Sequence, residues 1–196
     1  MVFKRTKLLG ISLLMALSAS PVLAIDASFS KYVDDKGNIY LPEDPRKTMV
    51  HLGSWFVPEG DVSGFHDVYT EAETVEVYRR TGVFPDGATL VKELRKHNFG
   101  DYPTGANVSY PNSEIRLWFV MIKDSTNRFP KNPLWAKGWG WAMFQTDNPD
   151  KNVVTSFEES CKACHTPAKE TGWVFIEGYQ ATLGSAASQG ERSGGE

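Results

Sequence analysis

The two cysteines of this 196-residue chain, Cys161 and Cys164, stand three residues apart, and His165 directly follows the second. Helical positions i, i+3 and i+4 share one face, so a helix here would project two thiols and an imidazole to the same side. Cys-x-x-Cys-His is the spacing of c-type haem attachment, in which the thiols bond the porphyrin edge and the histidine ligates the iron. Hydroxyl and acidic residues at 155–159 predict the start of that helix.

Other uses of two cysteines fit this sequence less well. A thioredoxin-like dithiol would be expected within a βαβ pattern, which is not visible near the motif. A zinc site needs four ligands and would have to recruit distant histidines. A structural disulfide would leave the adjacent His165 without a purpose. The pattern therefore predicts one haem c, with His165 as its metal ligand.

The second axial position of the iron is left open by the sequence. Small electron-transfer cytochromes use a downstream Met, but the residues after His165 include neither Met nor His. A side chain upstream of the motif could supply a sixth ligand, or the iron could keep an open face that binds small molecules. The upstream candidates are Met49, Met121, Met143, His51, His66 and His97.

Residues 1–24 have the pattern of a secretory signal peptide. Three basic residues precede an apolar run over 8–19, and small residues then lead to Ala24, which suits cleavage before Ile25. The apolar run is shorter than the ~20 residues of a spanning helix. We therefore expect export to the periplasm, without a membrane anchor after cleavage.

Composition and patterning predict an α+β fold, mainly antiparallel β-sheet with a few packed helices and a C-terminal helix that carries the haem motif. Gly, Pro and aromatic residues are too frequent for a four-helix bundle. The predicted domain covers residues 25–184, and a tail rich in Ser, Gly and Glu, expected to be disordered, covers 185–196. The net charge of −3 gives no basic footprint for nucleic acid. Strands are predicted at Ala88–Arg95, Glu114–Ile122 and Trp139–Gln145.

One helix is indicated between the signal peptide and the first predicted strand. Thr70 and Glu73 have the spacing of a capping box, the helical run continues to Arg80, and Gly82 can end it.

Lys92 interrupts an apolar strand face. Alternation over residues 88–95 places it on the same side as Ala88, Leu90 and Leu94. Either the amine extends to water, or it is partly desolvated, with a lowered pKa, and can act as a nucleophile.

From about Ile39 to Leu183 the chain resembles the cytochrome P460 family. The resemblance is carried by the order of five short motifs: Thr81–Gly87, Val91–Leu94, Lys123–Ser125 followed by Arg128–Phe129, Gly138–Trp141 and Cys161–His165.

The resemblance implies a periplasmic, mainly β, dimeric protein with one haem c, a proximal histidine and an empty distal site. In the enzymatic branch a strand lysine, here Lys92, is bonded to the porphyrin. Those enzymes oxidise hydroxylamine to nitrous oxide or other nitrogen oxides and pass electrons to a redox-partner cytochrome. A sister branch, cytochrome c-prime-beta, lacks that bond and binds nitric oxide behind distal phenylalanines.

Two positions depart from the enzymatic pattern. His66 stands where enzymatic members carry an arginine, and Phe119 stands where they can carry an acid. His66 could serve as the base because its unperturbed pKa lies near neutrality, or it could be a hydrogen-bonded structural histidine. Phe119 could line the haem pocket, as in the nitric-oxide-binding branch, or pack in the core. The readings left open are hydroxylamine oxidation, nitric oxide binding without turnover, and electron transfer with a sixth ligand such as His66 or Met121.

Overall fold

The computed structural model describes residues 29–184. The predicted signal peptide at residues 1–24 and the predicted tail at 185–196 lie outside this range. None of the helices within 29–184 is long and apolar enough to cross a membrane.

The described residues form a six-stranded antiparallel sheet with the order β1-β2-β3-β4-β6-β5. The strands are β1 (Val50–Val57), β2 (Gly64–Thr70), β3 (Thr89–Tyr102), β4 (Gly105–Lys123), β5 (Trp135–Ala136) and β6 (Trp139–Gln145). Short connections join β1 to β2, β3 to β4 and β5 to β6, as antiparallel pairing allows, whereas the connection from β2 to β3 contains a helix. The predicted fold class, α+β with a mainly antiparallel sheet, is confirmed.

Strand β6 has the predicted bounds, whereas β3 and β4 are longer than the predicted strands. The two continue beyond the alternating apolar pattern and pair as far as Tyr102 and Gly105. This outer part of the hairpin is largely exposed. Its residues therefore lack the alternation of apolar and polar side chains by which a half-buried strand is recognised in a sequence.

The helices are short: α1 (Pro45–Thr48), α2 (Ala72–Thr81), α3 (Phe157–Ser160), α4 (Lys162–His165) and α5 (Gln180–Leu183), with 3-10 helices at Thr166–Thr171 and Ile176–Tyr179. Gly82 ends α2 with a φ of 74°. This left-handed glycine is the helix ending that the sequence predicted.

The predicted capping box at the start of α2 is wrong. Glu71 is the N-cap residue, and no side chain caps the helix. Thr70 is still in β2, where its hydroxyl donates to the carbonyl of Thr89 on the neighbouring strand. The sheet thus satisfies the hydroxyl that the sequence pattern assigned to the helix.

Both faces of the sheet are covered. We call the side of Leu90 and Met121 the front face, which packs against the C-terminal segment through Phe157, Val174, Tyr179 and Leu183. The back face, on the side of Val91 and Val120, packs against Ile39, Trp135 and other residues that precede β1 or follow β4. Two-sided burial explains why β3 has apolar residues on both faces.

The back face of β2 and β3 holds two buried carboxylates, Asp67 and Glu93, which bind Arg46, whose side chain is 38% exposed. Its guanidinium donates to Glu93 at 2.7 Å and to Asp67 at 3.0 Å, and Ser54 donates to the other oxygen of Asp67. Glu93 is 2% exposed. A buried carboxylate is costly unless it keeps its hydrogen-bonding partners.

Arg46→Ala is expected to lower the free energy of unfolding by about 1–3 kcal/mol, because Glu93 would lose a charged hydrogen-bond donor in a buried position. Lys47→Ala is the matched control, since exposed Lys47 pairs only with Asp44 on the surface among the contacts described. Denaturant unfolding measures both variants. Equal stability of the two would contradict a structural role for Arg46.

Candidate functional site

A cavity of about 500 Å³ lies between the front face of the sheet and the C-terminal segment. Such a volume falls in the range of cofactor pockets, which are mostly apolar with a few placed polar groups. The lining comprises Trp55, Val57, Val62, His66, Val68, Leu90, Lys92, Leu117, Phe119, Val120, Met121, Trp141, Ala142, Met143, Ser160, Cys161, Cys164, His165, Val174, Phe175 and Tyr179. The candidate catalytic and haem-binding residues named from the sequence therefore all border one cavity.

The motif lies at the junction of α3 and α4 rather than within one continuous helix. Ser156 caps α3 by accepting a hydrogen bond from the amide of Glu159, as its position before the acids indicated. Cys161 interrupts the helical path with a φ of −122°, and α4 then carries Cys164 and His165. Despite the interruption, the two thiols and the imidazole all reach the cavity.

His165 is oriented by a backbone carbonyl. Its Nδ1 donates to the carbonyl oxygen of Trp173 at 2.8 Å. Nε2 therefore carries the lone pair available for a metal, and metal-bound histidines commonly donate their other ring nitrogen in this way. Burial lowers the pKa of His165, which favours the neutral ligating form.

The backbone that supplies this carbonyl has an unusual conformation. Trp173 has a φ of 70°. A positive φ is uncommon for a bulky residue, and such strain often marks functional sites. The strained backbone at Trp173 thus accompanies the orientation of the predicted iron ligand.

The Cys161 thiol does not have the lowered pKa of a catalytic dithiol. Burial raises the pKa of Cys161 to about 11. Catalytic dithiols, in contrast, have lowered pKa values. Within residues 29–184 no group of three or more His, Cys, Asp or Glu side chains comes together in the arrangement of a metal site.

Lys92 and Phe119 face each other across β3 and β4, where they are register partners. The Lys92 Nζ lies 4.1 Å from the centroid of the Phe119 ring. This is a cation–π distance. The Lys92 side chain is half-buried, and the surface that remains accessible borders the cavity. Desolvation by its apolar surroundings lowers the pKa of the Lys92 amine to about 8. The structure thus favours the desolvated amine over one that extends to bulk water.

His66 borders the same cavity from β2. Its Nε2 donates to the carbonyl of Val62 at 2.7 Å. This bond makes Nδ1 the proton-accepting nitrogen. Desolvation, and secondly the charge of Lys92, lower the pKa of His66 below 6.5. The lowered pKa therefore favours the neutral form of the imidazole.

The candidate sixth ligands separate into two groups. Three of them, His66, Met121 and Met143, line the cavity, and the other three, Met49, His51 and His97, are absent from its described lining.

Several cavity residues were not found from the sequence. Phe175 and Trp141 flank the His165 ring, with centroids 5.8 and 4.7 Å away. Trp141, which the sequence placed in a predicted strand without a role at the site, is buried and also lines the cavity. The Trp173 carbonyl carries no side-chain signal, because a backbone acceptor depends on local conformation alone.

The donor set fits a haem. Two thiols three residues apart and an oriented imidazole open into one apolar cavity of suitable size, which is the arrangement of a c-type cytochrome. The fold and site therefore define a β-rich c-type haem protein.

Comparison with known proteins identifies the family. The family model described as Cytochrome P460 matches residues 42–176, most of the chain. The chain belongs to the cytochrome P460 family, whose members bind haem and are linked to redox chemistry. No curated protein matches the chain.

Proposed function

We propose that this protein is a periplasmic haem oxidoreductase that oxidises hydroxylamine at an open iron face. The main observation in support of the proposal is that one apolar cavity is lined by Cys161, Cys164, His165 and Lys92. The proposal includes thioether bonds from both cysteines, ligation by His165 and a bond from Lys92 to the porphyrin. Assay of the purified holoprotein with hydroxylamine and an artificial oxidant tests it, and turnover is the expected result.

The bond from Lys92 to a porphyrin carbon would replace one amine N–H and one ring C–H, so its formation releases two protons and needs a two-electron oxidant, for which we propose a peroxide. The state of the Lys92 amine supports this bond. A lysine is nucleophilic only when neutral, and a pKa of about 8 leaves on the order of a tenth of the amine neutral at pH 7. The amine points into the cavity rather than to an acidic partner, since the lining described above includes no Asp or Glu. Attachment to an unsaturated ring carbon would also make the nitrogen less basic, which would reduce the cost of burying a charge there.

The haem, when bound, supplies the coordination site and the electron acceptance for the reaction. The chain supplies orientation and proton transfer. The Trp173 carbonyl fixes the ring of His165, and apolar side chains exclude water from the cavity. Nδ1 of His66 can accept a proton, because Nε2 already donates a hydrogen bond to the carbonyl of Val62. Electrons leave to an external acceptor, for which we propose a redox-partner cytochrome.

His66→Gln is expected to reduce kcat/KM for hydroxylamine about 100-fold, the lower range for loss of a general base. In the wild type, kcat/KM should rise with pH through a pKa below 6.5 and then level off, because the neutral ring is the base. In His66→Gln, kcat/KM should no longer fall as the pH is lowered through this range.

His51→Gln serves as the matched control, because exposed His51 bonds Ser54 and is absent from the described cavity lining. An unchanged pH profile in His66→Gln would eliminate His66 as the base.

Nitric oxide binding without turnover is the second candidate function. Phe119, packed under the Lys92 ammonium, gives the cavity an apolar wall where an acid would assist proton removal. Tight nitric oxide binding together with no hydroxylamine turnover would favour this function.

Two further features of the proposal concern the setting of the protein. The signal-peptide pattern at residues 1–24 supports periplasmic location, and the family resemblance supports a homodimer. Size-exclusion chromatography with light scattering tests the second.

A further inference from the structure

We infer that Arg116 is a positioning residue that holds loop 58–63 in place as the rim of the cavity. The loop connects β1 to β2, and Val62 is its residue in the cavity lining. The inference deepens the proposed function and rests on it, since it concerns ligand access to that site and the orientation of His66.

The guanidinium of Arg116 binds two carbonyls of the loop. One terminal nitrogen donates to Ser63 at 3.0 Å and the other to Asp61 at 2.9 Å. The carbonyl between them, that of Val62, accepts from His66 at 2.7 Å. Three successive carbonyls of one loop are thus held by two side chains from the sheet.

A β-bulge explains how Arg116 reaches the loop. Leu94 pairs with Leu117, but Arg95 pairs with Ile115, which leaves Arg116 as the extra residue of β4. Bulges change the direction of side chains and are common beside active sites. Neighbouring Leu117 still lines the cavity, so the bulge lies at the cavity's edge.

The loop itself has little to keep it in place. Val62 is 43% exposed although it is apolar, and residues 58–61 are also exposed. Gly60 has a φ of 97°, and a turn bond joins Ser63 to the carbonyl of Gly60. The hydrogen bonds from the Arg116 guanidinium to the loop carbonyls therefore contribute much of the free energy that keeps the loop in one conformation.

The arrangement connects Arg116 to His66. While the loop is held, Val62 narrows the cavity mouth and its carbonyl keeps the proton of His66 on Nε2. If the loop were released, the mouth would widen and His66 would lose the partner that selects its tautomer. Arg116 thus acts on the site through the loop and not by contact with a ligand.

The first test is hydrogen–deuterium exchange of the holoprotein. Arg116→Ala should speed exchange of the Ser63 amide, which donates to the Gly60 carbonyl within the loop, about tenfold, the effect of losing hydrogen bonds from a charged donor. Arg116→Lys should recover part of the protection, because one ammonium can replace one of the two bonds. Arg79→Ala is the matched control, since Arg79 also donates to a backbone carbonyl, that of Thr182, and neither residue lines the cavity.

The second test is the rate of carbon monoxide binding to the ferrous holoprotein. Faster association in Arg116→Ala, together with a shifted stretching frequency of the bound ligand, is the expected result. Val62→Ala should speed association while leaving loop exchange near the wild-type rate. If Arg116→Ala exchanged its Ser63 amide and bound carbon monoxide at the same rates as the wild type, the inference would be overturned. If the wild type did not turn over hydroxylamine, that result would count against the proposed enzyme and not against the role of Arg116.

Discussion

The variant Cys161→Ala/Cys164→Ala, made together with Lys92→Ala so that the proposed bond from Lys92 is also removed, is expected to carry no covalently bound haem. Both thiols border the cavity beside His165, and the chain has no other cysteine. Intact mass under denaturing conditions should therefore equal that of the polypeptide alone, while the wild type should be heavier by one haem. The absorption that remains with the denatured polypeptide should fall to background.

Each single cysteine variant provides a control for this result, because one thioether suffices to retain the haem during denaturation. His165→Ala separates attachment from ligation: it should keep the covalent mass but alter the absorption spectrum. A wild-type mass equal to that of the unmodified polypeptide would contradict the assignment of the motif.

In the wild type we expect a ferrous Soret band at longer wavelength than that of a haem held by thioethers alone. Lys92→Ala is expected to remove both this shift and hydroxylamine turnover. The physical reason is that a bond between the amine and the ring would distort the macrocycle and change its electronics. The thioether-linked haem should remain, since Lys92 takes no part in that attachment. Peptide mapping after digestion should find the haem on a branched peptide containing 92 and 161–165 in the wild type only.

Lys123→Ala is the matched control for Lys92. Burial also lowers the pKa of Lys123, but its amine donates to the carbonyl of Gly138, and the residue is absent from the described cavity lining. The control should keep the wild-type spectrum. Identical ferrous spectra for wild type and Lys92→Ala would remove the cross-link from the proposal.

The features that the sequence predicted well are those set by local spacing. The Cys161–His165 motif needs only a helical turn to bring its groups together, and even a break at Cys161 leaves them facing one cavity. The position of Lys92 follows from strand alternation, because period-two geometry fixes the face of each residue. Strand β6 was predicted to the residue because turn residues bound it on both sides.

The features that the sequence could not predict depend on contacts between distant segments. Thr70 has the spacing of a helix cap, but pairing with β3 places it in a strand and gives its hydroxyl another acceptor. The hydrogen bond between His165 and Trp173 requires the left-handed backbone at 172–173, which a tryptophan does not indicate. The position of Arg116 depends on a bulge, and bulges have no period of their own.

The absorption spectrum of the ferrous protein, recorded before and after addition of carbon monoxide, tests the site most directly. The account predicts a five-coordinate spectrum that changes on carbon monoxide binding, because His165 is the one proposed protein ligand of the iron and the opposite side is proposed to be open. A six-coordinate spectrum that carbon monoxide leaves unchanged would contradict it and would instead indicate an internal ligand such as His66 or Met121.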